Sequence, residues 1–217
     1  MLKELNEVNK NSKILRADSP HFTRYGKVLE DCDFSDMFPI SIEAMDLSGP
    51  TYLRDIEALH KCESFQYLKD SVFGEIDLQS GICFGKNDKM NGMEYHKSSE
   101  VIIAVTDMVL ILGDIRDMKN NSWDSSLAEC FLIPKNTAIE LYGGTLHLAP
   151  CRVSEEPFCS IIVLPEGTNS PLLSSVSKKD PLLFMNNKWL ICHRDSPAVT
   201  RGGYIGISGE NIQIETI

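Results

Sequence analysis

The chain's densest chemistry lies in Glu94-Tyr95-His96-Lys97-Ser98-Ser99-Glu100, directly before Val101-Ile102-Ile103-Ala104-Val105. On an extended strand Glu94 and His96 project from one face, because side chains alternate with period two. Glu100 follows a serine-rich step that a tight bend would accommodate. Two carboxylates and an imidazole aimed into one cavity are costly unless a cation or a substrate satisfies them. His147, in Thr145-Leu146-His147-Leu148, adds a fourth ligand from another candidate strand. Imidazole and carboxylate without thiolate suit a divalent Mn, Fe, Ni or Zn ion, a Lewis acid for a carbonyl or hydroxyl oxygen. The bland alternative is a solvated strand end carrying a surface glutamate pair.

Other residues would complete such a site. Glu140 and Glu100 are candidate acid–base groups, since a carboxylate beside a metal or a second carboxylate can titrate nearer neutrality. Arg152, and less directly Arg116, would clamp a substrate carboxylate or phosphate. Tyr142 offers a phenol and His193 a rim imidazole. Surface solvation or packing is the competing account of each. His60 reads as structural, and His21 has no evident partner. No phosphate-cradling G-x-x-x-x-G-K-[ST] and no G-x-S-x-G elbow occurs.

The elements that must position these residues are mostly strands. From about residue 75, short apolar or alternating runs are separated by turn residues: 76–84, 93–96, 100–106, 108–113, 128–133, 138–142, 145–148, 158–164, 188–193 and 203–207. Such regular spacing predicts a sandwich or barrel. Leu53, Ile56, Leu59, Phe65 and Leu68 predict helix over 51–70, as one helix or two short ones, with Pro50 and Thr51 at its start. Residues 22–30 read as a turn into a short strand. The Ser/Pro/Lys/Asn-rich stretch 165–187 reads as a surface excursion or a lid over the barrel mouth.

The chain has 217 residues and a net charge of −10, which opposes binding to a phosphate backbone. Its seven cysteines include no C-x-x-C pair and several lie in apolar runs, as reduced cytosolic thiols do. No signal-like apolar core opens the chain and no run of about 20 apolar residues crosses it, so a cytoplasmic protein without membrane contact is expected.

The order of these features resembles a cupin barrel. Glu94, His96 and Glu100 take the places of the first cupin motif's ligands, with Glu for the usual first His, and Asp107 takes the turn position usually held by glycine. Phe131-Leu132-Ile133-Pro134-Lys135-Asn136-Thr137 resembles the strand and turn of the second motif, but its histidine place falls near Ile139 or Glu140. His147 comes one hairpin later. Gly144-Thr145-Leu146-His147 with Pro150, and the opening Phe22-x-x-Tyr25-Gly26-x-Val28-Leu29-Glu30, resemble the ureidoglycolate lyase-like cupins. The layout is also similar to an uncharacterised Firmicutes family known only as a domain of unknown function. The resemblance implies a mainly β, cupin-type barrel or double-stranded β-helix over 75–217, with 1–74 an N-terminal arm and helical segment packed on it. The expected protein is a homodimer acting on a small molecule. Glu94, His96, Glu100 and His147 hold a divalent metal, and the reaction is a lyase or isomerase step on a hydroxy-carbonyl or hydroxy-acid compound. The rival readings are a non-catalytic sugar- or metabolite-binding cupin and a metal-free isomerase or epimerase.

Overall fold

Strands dominate because the chain supplies runs that bury both faces. The computed structural model describes residues 1–49, 51–173 and 180–217. Its strands, in chain order, are β1 (Ile14–Arg16), β2 (Gly26–Leu29), β3 (Tyr52–Leu53), β4 (Leu78–Gly85), β5 (Gly92–Tyr95), β6 (Glu100–Ala104), β7 (Met108–Asp114) and β8 (Trp123–Asp124). There follow β9 (Glu129–Ile133), β10 (Ala138–Leu141), β11 (Thr145–Leu146), β12 (Cys151–Arg152), β13 (Phe158–Pro165), β14 (Leu183–Met185), β15 (Lys188–Cys192), β16 (Tyr204–Ile205) and β17 (Ile207–Ser208). Each strand expected beyond residue 75 has its counterpart here.

Two sheets face each other. One runs β2-β10-β6-β13-β4-β3, and the other runs β1-β9-β7-β11. Just past β11, His147 bridges to Glu94 of β5 and so joins β5 to the second sheet. Taken in chain order, β4, β5, β6, β7, β9, β10, β11 and β13 lie in the sequence first-eighth-third-sixth on one sheet and second-seventh-fourth-fifth on the other. That is the double Greek key of a jelly roll, the cupin-type barrel.

Side-chain alternation assigns the faces. Ile102, Leu110, Phe131, Ile139 and Ile162 meet between the sheets. Val101, Ile103, Ile161 and Val163 point outward and are covered by Phe34, Met37, Leu59, Phe65 and Leu68 of the N-terminal segment. Val109, Ile111 and Leu132 are covered by Leu5, Trp123, Ile207 and Ile214. With both faces buried, β6 and β7 are continuously apolar rather than alternating.

Residues 1–74 do more than pack on the barrel. β1 pairs in parallel with β9, β2 pairs with β10, and β3 pairs with β4, so this segment contributes to both sheets. The helix expected over 51–70 forms from Leu59 onward, as short separate pieces, while a strand takes its first turn, and its expected start at residue 50 lies outside the described residues. Tyr52 and Leu53 pair with Cys83 and Ile82. Helical turns begin at Leu59–Lys61, and the extended backbone of Cys62 (ψ 142°) separates them from α-helix Glu63–Tyr67 and a π turn over Leu68–Val72. The apolar spacing thus spans a strand end followed by short helical pieces, all packed against the same sheet.

The β3 crossing depends on Gly81. A Cβ there would lie 1.9 Å from the Leu53 carbonyl oxygen and 2.6 Å from the Arg54 carbonyl carbon. Both contacts are backbone, so no side chain can rotate away. Gly81→Ala is expected to cost about 1–3 kcal/mol, as overpacking does, read as a lowered urea midpoint at unchanged slope.

Candidate metal centre

The site lies where β5, β6 and β11 meet at the barrel mouth. Glu94 and His147 are held opposite each other by two backbone hydrogen bonds, Glu94 N–H to the His147 carbonyl (2.6 Å) and His147 N–H to the Glu94 carbonyl (3.0 Å). Directly opposed residues of an antiparallel pair show their side chains on one face. Glu100 opens β6 and shares the inward face of Ile102 and Ala104. His96 follows β5 and enters from the bend toward Glu100.

Each histidine is oriented by a backbone carbonyl. His96 Nδ1 lies 2.6 Å from the Asn187 carbonyl oxygen, and His147 Nδ1 lies 2.9 Å from that of Thr145. A carbonyl only accepts, so both Nδ1 atoms donate, and each neutral ring presents the bare lone pair of Nε2 to the site. Those Nε2 atoms lie 3.1 Å (His96) and 3.2 Å (His147) from Glu100 Oε2. Glu94 Oε1 is 3.7 Å from His96 Nε2. Ligand atoms of Glu94, His96 and His147 all fall within 4.8 Å of one another, and all three residues are buried. His96 Nε2 is buried without a hydrogen bond of good geometry, and Glu94 Oε2 is buried with only the Lys188 ammonium beside it. Acceptors converging on one point repel unless a cation or protons lie among them. The donor set therefore fits a divalent ion, and the carbonyl-anchored rings supply the outer-shell support such ions have.

Without an ion, protons take that place. Burial alone would lower the His147 pKa, but the charge and hydrogen bond of Glu100, then the charge of Glu94 and the Thr145 carbonyl, outweigh it and push it up to about 9. Burial would raise Glu100, but the two histidines hold it well below the usual carboxylate range. His147 is raised above its ordinary 6.5, so its contribution to metal-free stability is complete below 6.5 and is lost as pH rises through about 9. Glu100 is depressed, so its contribution is present above 4.5 and is lost as pH falls through its folded value. The melting temperature of chelator-treated protein is expected to decline over pH 6.5 to 9, and Glu100→Gln to flatten that limb. Metal affinity should rise over the same range, because a ligating imidazole must shed its proton.

The cluster opens into a cavity of about 530 Å³ lined by Glu94, Glu100 and His147 and also by Tyr52, Asn169, Lys188 and Arg201. Burial, then Glu94 and Glu100, pushes the cavity thiol Cys83 up to about 12, and burial also raises the Tyr52 phenol. Both stay protonated near neutrality.

The remaining expected site residues lie elsewhere. Glu140 sits between Ile139 and Leu141, which both point inward, so its side chain leaves on the outer face, where Lys27 Nζ pairs with it at 3.2 Å. It is corrected from a cavity base to an outward ion-pair member. Arg152 bonds the Glu155 carbonyl and carboxylate at 3.0 and 3.1 Å instead of facing the cavity. Tyr142 is exposed in the turn before β11 and borders a different hollow, with Arg24 and Arg116. His193 is buried and turned to the Gly209 carbonyl and Asp195. His60 stacks on Phe65, as a structural histidine would. Of the stretch 165–187, residues 174–179 lie outside the described residues, while Asn169, Phe184 and Met185 form cavity wall.

Sequence reasoning missed Lys188 and Asn187. β15 pairs with β5 in the register Leu190 opposite Glu94, which brings Lys188 into the cavity and the Asn187 turn beneath His96. The Asn187 side chain also bonds Lys97 N–H and Ser98 Oγ at 3.0 Å each, fixing the bend before Glu100. That pairing is some ninety residues long in sequence and leaves no local signal.

No helix among the described residues is long and apolar enough to cross a membrane. Among curated proteins none matches this chain. Solved structures similar to it include a mutant of Bacillus subtilis oxalate decarboxylase, at 8% identity over 58% of this chain and 28% of that one, TM-score 0.34. The capsular polysaccharide assembling protein CapF of Staphylococcus aureus aligns at 14% identity over 41% of this chain and 23% of that one, TM-score 0.32. The chain thus spans about a quarter of the length of these proteins. A family match covers far more, residues 14–212, and by it the chain belongs to the family described as a domain of unknown function, DUF4867.

Proposed function

We propose that this chain is a divalent-metal cupin enzyme that carries out a lyase or isomerase step on a small polar hydroxy-carbonyl or hydroxy-acid compound. The observation that carries the reading is the convergence of His96 Nε2, His147 Nε2 and Glu100 Oε2, buried acceptors that only a cation or protons can hold together, where Glu100 and His147 line a cavity. An ion held by Glu94, His96, Glu100 and His147 would supply Lewis-acid stabilisation of negative charge on a substrate oxygen. The chain's own part is to orient both rings through Asn187 and Thr145, to keep the ligands buried, and to move a proton. With Glu140 on the outer face, a carboxylate of the cluster is the group left for that proton transfer.

Metal content by mass spectrometry, on untagged wild type beside His96→Ala, tests the reading. Near-stoichiometric Mn, Fe, Ni or Zn in the wild type and its loss from the variant are expected. Metal-loaded protein is then incubated with sugars, sugar acids and hydroxy acids and followed by NMR. Absence of metal from both proteins, even after incubation with these ions, would overturn the metal mechanism. Stabilisation by a sugar without turnover would point to a binding protein instead.

A further inference from the structure

Lys188 is a charged cavity group that the metal reading does not use. Its ammonium is ion-paired with Glu94 Oε2, and both side chains are largely buried. Among the described residues Glu94 is its only charged partner. β15 alternation sets Lys188, Leu190 and Cys192 on the cavity face. Glu94 therefore divides its carboxylate, with Oε1 toward His96 and Oε2 toward Lys188. A divalent ion that takes Glu94 as ligand draws charge from the partner the ammonium depends on and places like charge beside it. A buried ammonium then needs another anion. The wall charges point the same way. Lys188 and Arg201 balance Glu94 and Glu100 when both rings are neutral, so a divalent ion leaves the cavity with excess positive charge.

We propose that Lys188 recognises a carboxylate of the substrate, and that a cation at Glu94 releases it for that role. This rests on the metal reading above and narrows its substrate class to anionic compounds. Lys188 is then a specificity residue whose availability is linked to metal occupancy, and by linkage the carboxylate must strengthen metal binding in return.

The test is calorimetric titration of Mn(II) into the full chain with acetate or its neutral isostere acetamide present at matched ionic strength. In the wild type, acetate is expected to tighten Mn(II) binding about tenfold and acetamide to leave it unchanged. Lys188→Met should bind Mn(II) at least as tightly as wild type and lose the acetate effect, while Lys188→Arg should keep it. Lys188→Gln provides the same comparison should the Met variant fold poorly. An equal acetate effect in wild type and the neutral variants would overturn the proposal, as would no acetate effect in the wild type. Failure of the wild type to take up Mn(II), Fe(II), Ni(II) or Zn(II), seen before any acetate is added, would instead overturn the metal reading on which the proposal rests; an ion other than Mn(II) that binds takes its place in the titration.

Discussion

Glu100→Gln is expected to abolish stable metal binding while leaving the fold intact. Glu100 Oε2 lies 3.1 Å from His96 Nε2 and 3.2 Å from His147 Nε2, so it closes the ligand set from the β6 side. Glutamine has the same shape, but it replaces one anionic oxygen with an amide that lacks charge and lone pair. Loss of an outer-shell partner already costs about 10–100-fold in metal affinity, and a direct ligand should cost at least the upper end of that range. The metal-free variant should fold well, because an amide N–H can donate to one of the bare Nε2 atoms, whereas the carboxylate needs protons from its neighbours. The readout is the melting temperature with and without Mn(II). Wild type should gain stability by mass action, about 2.7 kcal/mol at a hundredfold excess over Kd, and the variant should gain almost none. Equal stabilisation of both proteins would place the ion elsewhere.

The legible parts of this protein were those set by local alternation. β6 and β7 were readable because both faces are buried, which makes Glu100-Val-Ile-Ile-Ala and Met108-Val-Leu-Ile-Leu unbroken apolar runs behind a single acidic start. Glu94, His96 and Glu100 were readable because period two and one bend suffice to bring them together. His147 was harder, since its place depends on a hairpin after β10, yet the Gly144 turn marked it. Glu140 shows where such reading stops. Its neighbours Ile139 and Leu141 are both large and apolar and point inward, so alternation turns Glu140 outward to Lys27 even though it stands at the place of the second motif's histidine. Lys188 and Asn187 depend on the pairing of β15 with β5, and only the three-dimensional register places a lysine two residues before Leu190 against Glu94.

Packing and site are coupled through Phe131, and Phe131→Ala is the substitution expected to cost the most stability. Phe131 is fully buried between the sheets, edge-on to Phe22 at 5.2 Å and to Tyr25 at 5.7 Å. Removing such a ring costs about 3–5 kcal/mol, a large share of the roughly 5–15 kcal/mol that holds a domain folded. Urea unfolding should show a much lower midpoint, with Phe131→Leu recovering most of the loss. A second effect should follow from what Tyr25 holds. Its backbone carbonyl accepts bonds from Tyr142 N–H and Thr145 Oγ1, both at 2.8 Å. Thr145 in turn supplies the carbonyl that orients His147. A cavity that lets Tyr25 relax loosens this chain of contacts from the core to the ligand. Phe131→Ala should therefore weaken Mn(II) binding as well as stability, and saturating Mn(II) should restore part of the lost midpoint. Unchanged Mn(II) affinity in a folded Phe131→Ala protein would show that β11 is held by its pairing with β7 alone.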